Sequence, residues 1–259
     1  MATAARLAPS ATPLTVRAGG RILRASFVSS EPAAFSPSFP EDWLREAARL
    51  HRRYLVEIVE HFNFCPWAVK ARAAGRLRVA VLLQTGDSDL EPSLRALAPW
   101  SSDAGMEVGF LLYPRLPPGR VAFDAFTARV REAFAARRPL GDSPFALVAF
   151  HPDAAPDLAE AERLIPFLRR TPDPCVQVVR IDVLDRVRGA APEGTQFLDL
   201  SFLDRAAALA PEPTLRERVS RANLGTVAER GVAAVDAVFA DILRDREATY
   251  RALEAARRT

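Results

Sequence analysis

Four side chains in this 259-residue chain have the type and setting for covalent or anion-directed chemistry. Cys65, in NFCPWA, precedes a proline suited to the first turn of a helix. Its thiol would then be the N-cap, beside unpaired backbone N–H groups and the positive end of the helix dipole. Both favour thiolate over thiol, the form that serves as nucleophile or redox centre. His151, in FHPD, follows a short apolar run read as a strand, and ligands of α/β sheets gather at strand C-termini. An imidazole there could carry protons for Cys65. Arg170 and Arg180 flank the stiff TPDP connection and could form a fork for a carboxylate or phosphate.

Each of these residues also has a plainer reading. An unpaired cysteine between Phe64 and Trp67 can simply pack as a small hydrophobe. A histidine before proline can bond a turn, and either arginine can pin its loop by pairing with Asp173, Asp182 or Asp185. Cys175 could form a reversible disulfide with Cys65, although nothing in the spacing brings the two together. His51 and His61 have weaker claims. His61 lies four residues before Cys65, a spacing for metal ligation only on an unbroken helix, and Pro66 argues for a break, so no metal is expected. The chain has no Walker loop, GxGxxG, GxSxG or HExxH pattern, and no cofactor is expected.

Positioning these groups requires a regular framework, and the hydrophobic pattern supplies one. From Glu41, Leu44, Ala48, Leu55, Ile58 and Phe62 repeat at helical spacing, and a second helix runs from Pro66 to a stop at Gly75. Strands are expected at 77–84, 106–113, 145–150 and 176–181, with a helix starting at a Ser88/Glu91 capping box, another carrying Phe126, Val130 and Phe134, and a third from Pro156. The alternation indicates an α/β layered domain with a mainly four-stranded sheet, helices packed on it, and a long C-terminal helical tract. That tract starts at Thr214, with Thr226 and Glu229 as a possible second capping box. The order of the strands is not readable.

Residues 1–40, rich in Ala, Ser and Pro, read as an unstructured leader, and 41–259 as a single α/β domain with an inserted segment near 190–212 and a C-terminal helical extension. Residues 1–30 carry four arginines and no acid, which leaves 31 bases against 32 acids in the rest of the chain. The basic isoelectric point therefore belongs to the leader, and an extended nucleic-acid groove on the body is not expected. No run approaches the ~20 apolar residues of a membrane span. Two cysteines are too few for a disulfide framework, which points to a reducing compartment and a cytoplasmic, bacterial protein.

At these same residues the chain resembles a bacterial family known as domain of unknown function 1415. The resemblance rests on Asn63, Cys65, Pro66 and Ala68, on Gly75 and Arg78, on Phe150, His151 and Pro152, on Arg170, Pro172, Pro174 and Arg180, and on Asn223 and Gly231. It spans roughly residues 41–235 and implies a shared site around Cys65 and His151, with Asn63 and Arg78 beside Arg170 and Arg180 as binding residues. It assigns no reaction. Val69 followed by Lys70 departs from a pattern with lysine directly after CPFA, and Gln177 stands where the pattern has histidine.

The functional expectation is a cysteine-dependent enzyme acting on a small anionic substrate, with Cys65 and His151 catalytic. The alternatives are a non-catalytic module for a small anion or nucleotide, in which Cys65 only packs, and an interaction protein that uses its long C-terminal helix.

Overall fold

A computed structural model describes residues 14–18, 21–25, 40–117, 119–138, 143–188 and 215–258. The expected insertion at 190–212 lies outside them.

The centre is a mixed sheet whose four body strands are β3 (Leu77–Val81), β4 (Val108–Leu112), β5 (Phe145–Phe150) and β6 (Cys175–Arg180). These sit in the order β3-β4-β6-β5, with β3 and β4 parallel and β6 antiparallel to both its neighbours. Two further strands extend the β3 edge. β1 (Leu14–Ala18) and β2 (Arg21–Ala25) form an antiparallel hairpin, and β1 runs parallel to β3 through Val16 and Val79. Both segments fall within the first 40 residues, which the sequence reads as a leader, and both are strands here.

Strand periodicity divides the core into two layers. Val79, Val81, Phe110, Leu112, Phe150 and Cys175 face one side, beneath α1 (Glu41–Tyr54), α2 (Pro66–Ala73) and the C-terminal helices. Ala80, Leu111, Leu147, Val176 and Val178 face the other, beneath α3 (Glu91–Ser101) and α4 (Arg120–Ala136). There the absence of a side chain at Gly109 lets Trp100 and Met106 close on β4; a Cβ at that position would lie 2.6 Å from each.

Several local readings needed correction. Ser88 does not cap α3; the helix starts at Glu91, whose N–H donates to the nearer Asp89 Oδ1 at 2.9 Å. An Asx turn two residues away outcompetes the more distant hydroxyl. Pro156 opens no long helix, because Asp157 Oδ1 takes the Ala159 N–H locally, and only the short α5 (Ile165–Leu168) follows. After β6 comes α6 (Ile181–Arg188). The C-terminal tract comprises α7 (Leu215–Arg230) and α8 (Val232–Ala256), and they break at Gly231, whose φ of +84° suits glycine. Thr226 lies inside α7 with its hydroxyl donating to Ala222 O at 3.1 Å, so it caps nothing.

The last helix docks on its own chain. Val235, Phe239, Ile242 and Tyr250 are buried, and Arg49 and Arg53 of α1 reach Asp245 at 2.8 and 2.7 Å. Asp173, before β6, binds Arg246 at 2.6 Å and accepts from the Tyr250 hydroxyl at 2.7 Å. Among the described residues no helix is long and apolar enough to cross a membrane.

Candidate active site

The segment leading to Cys65 is built by an interruption of helical geometry. After Tyr54 the ladder widens into a π-helical turn, Leu55–Glu60, in which the N–H groups of His61 and Phe64 reach the carbonyls of Val56 and Val59. Such turns accommodate an extra residue and recur at functional sites. Asn63 then reverses the chain at φ +54°, a conformation that asparagine tolerates better than most residues. Cys65 follows in extended conformation as the N-cap of α2, with Pro66 at the first helical position. Arg72 of α2 pairs with Glu60 at 2.8 Å and fixes this elbow.

The elbow forms one wall of a cavity of about 320 Å³. Tyr54, Leu55, Val59, Phe64 and Cys65 contribute from this side, and Phe110, Phe150 and Gln177 rise from the sheet. Ile165, Leu168 and Arg169 close a third side, and Leu184 of α6 with Val219, Ser220 and Asn223 of α7 the fourth. The lining is mainly hydrocarbon, with a thiol, a phenol, two carboxamides, a serine hydroxyl and one guanidinium placed within it.

Tyr54 anchors the polar part. Its hydroxyl donates to Leu168 O at 3.2 Å, and burial pushes the phenol well above its usual range. The nearby Arg169 and Arg170 guanidinium groups oppose that rise without cancelling it. Cys175 itself is fully buried, and burial followed by the Asp173 charge raises its thiol well above the ordinary value. It is a packed group. Cys65 is half-buried and lines the cavity.

The other expected site residues are not among those that line the cavity with Cys65. Side chains alternate along β5, so Phe150 enters the cavity and His151 turns to the opposite face. There its ring lies 5.9 Å from Phe123 of α4, and Nδ1 accepts the Asp153 N–H at 3.1 Å. His151 thus bonds the turn that follows β5 and is not among the residues that line the cavity.

Arg170 and Arg180 form no fork. Arg170 is sandwiched between Phe167 and Phe239, 3.8 and 4.5 Å from the ring centroids, and pairs with Asp236 at 2.7 Å, an acid the sequence reading did not consider. Arg180, at the far end of β6, pairs with Asp182 at 3.1 Å and donates to Asp103 O. Arg78 holds Asp103 Oδ2 at 2.9 Å and the Gly75 carbonyl at 2.8 Å, so Arg78 and Arg180 together brace the Asp103 turn. Asn63 is exposed and serves the reversal.

Three polar lining residues escaped sequence reasoning altogether: Tyr54, Arg169 and Ser220. Tyr54 lies next to Leu55 of the helical stripe but was not singled out with it, and the choice between Arg169 and Arg170 depends on the short α5 turn. Gln177 was noted only as a departure from a pattern and Asn223 only as part of one; both prove to line the cavity. Among the described residues no group of three His, Cys, Asp or Glu side chains is placed to hold a metal ion.

No curated protein and no solved structure matches the chain significantly. Residues 46–199, more than half of the chain, match the family described as "Protein of unknown function (DUF1415)", and the chain belongs to that family. The matched span contains the elbow, the four body strands and Gln177, whereas β1, β2 and α7 with Ser220 and Asn223 lie outside it.

Proposed function

We propose that this member of the DUF1415 family is a cysteine-dependent enzyme whose active site is the cavity beside Cys65, with the Cys65 sulfur as nucleophile toward a small anionic substrate. The observation that supports this most is the position of the sulfur: a half-buried thiol at a helix N-cap, opening into a cavity large enough for a substrate. The N-terminal N–H groups and dipole of α2 favour the thiolate, and the proton departs to solvent. Arg169, the charged side chain among the described lining residues, attracts the anion, a role assigned here to it and not to Arg170 or Arg180. Gln177 and Asn223 offer carboxamide donors for an oxygen on the substrate.

Alkylation with iodoacetamide, followed residue by residue with mass spectrometry between pH 5 and 10, tests this reading. Cys65 should react with an apparent pKa below the ~8.5 of a free cysteine, while Cys175 stays unmodified in the folded protein. An inert Cys65 refutes the thiol chemistry.

The absence of His151 from the cavity gives weight to a second reading, a binding module in which Cys65 only packs. In that case Cys65→Ser retains ligand affinity in full, and no product forms from any ligand that binds.

A further inference from the structure

We infer that the ligand of this cavity is an aliphatic carboxylic acid or acyl compound of about eight to ten carbons, its oxygen-bearing end at Arg169 and its chain along the apolar walls. The inference rests on reading the cavity as the functional site and adds the chemistry of its occupant. Size sets the first limit. About 320 Å³ is roughly twice the ~150 Å³ of an apolar cavity that takes one benzene molecule, so about twelve non-hydrogen atoms fit.

The character of the walls sets the second limit. Leu55, Val59, Phe110, Phe150, Leu168 and Leu184 offer a long hydrocarbon surface to which a phosphate, a nucleotide or a dicarboxylate would lose hydration without a partner. Among the described lining residues Arg169 is the one that carries a charge, and it follows directly on Leu168, whose carbonyl takes the Tyr54 hydroxyl at 3.2 Å. A single charged end on a hydrocarbon body is the complement of one guanidinium in a mainly apolar lining. The Arg169 guanidinium also lies over the Phe150 ring, 5.8 Å from its centroid, so the cation borders directly on the apolar surface.

Isothermal titration of the full-length protein with butanoate, hexanoate, octanoate, decanoate and dodecanoate tests the class. Affinity should rise about fourfold per methylene from four to eight carbons, the equivalent of ~0.8 kcal/mol for each buried methylene, and stop rising by twelve. Octanoate should bind more tightly than octanol, and Arg169→Gln should erase that preference while leaving octanol binding unchanged. Val219→Trp, a substitution at the partly exposed rim, should weaken the longer acids and spare butanoate. Affinity independent of chain length, or an acid preference that survives in Arg169→Gln, overturns the inference.

These outcomes separate from those for the thiol. Octanoate bound equally well by wild type and Cys65→Ser, with Cys65 inert to alkylation, upholds the ligand class and removes the cysteine chemistry. A reactive Cys65 with no chain-length dependence overturns the ligand class and leaves the cysteine chemistry in place.

Discussion

His51 offers a quantitative handle on the wall behind the cavity. The ring is 2% exposed, lies 4.5 Å from the Phe110 ring and 5.8 Å from that of Tyr54, and neither nitrogen has a hydrogen-bond partner among the described residues. Burial alone lowers its pKa to about 3, against about 6.5 for an exposed histidine. Below pH 6.5 the unfolded chain therefore takes up a proton that the folded chain refuses, and stability falls with pH down to the folded value. Each pH unit in that window contributes about 1.4 kcal/mol, so by pH 4 this one residue should have cost roughly 3 kcal/mol relative to pH 7. His51→Leu, close in volume and without a titrating group, should remove that portion of the acid sensitivity. Urea unfolding of both proteins at half-unit steps from pH 7.5 to 4 measures the difference. The two should be of similar stability at pH 7, with the variant ahead by an amount that grows as pH falls. A constant difference across the range would mean that the ring is hydrated or partnered in the folded protein, and the account of this wall would be wrong.

Two further perturbations test the framework. Gly109→Ala should cost about 1–3 kcal/mol in chemical denaturation, because the added methyl meets Trp100 and Met106 on a rigid strand; an unchanged midpoint would show that Trp100 can move aside. Truncation after Gly231 should unfold the body or leave it molten by near-ultraviolet dichroism, since it strips buried Phe239, Ile242 and Tyr250 from the core and leaves Asp173 without Arg246. A well-folded truncated protein altered only in its state of association would instead revive the interaction reading of that helix.

What the sequence revealed and what it hid follow a physical division. Cys65 as N-cap, the stop at Gly75 and the strand at Phe145–Phe150 were legible because each depends on residues within a few positions: proline at N1, a glycine with positive φ, a bounded apolar run. The four body strands and the layered α/β arrangement followed from the same local periodicity. The constellation was not legible. Whether His151 meets Cys65 depends on which face of β5 it takes, and that is set by long-range pairing of Phe150 with Cys175. The partners of Arg170 and Asp173 come from a helix more than sixty residues later in the chain. Short capping patterns misled at Ser88 and Thr226, where Asp89 and the interior of α7 offered nearer solutions.

The widened turn at Leu55–Glu60 ties the reach of the sulfur to a residue count. Losing one position there would let the ladder close into ordinary α-helix and swing everything downstream by about 100° around the axis. Phe64 and Cys65 would then depart from the sheet together, and the hollow would lose a wall although every remaining side chain kept its chemical identity. The shape of this hollow thus depends on a single surplus amide unit in a helix, a sensitivity that a deletion scan would expose and an alanine scan would pass over.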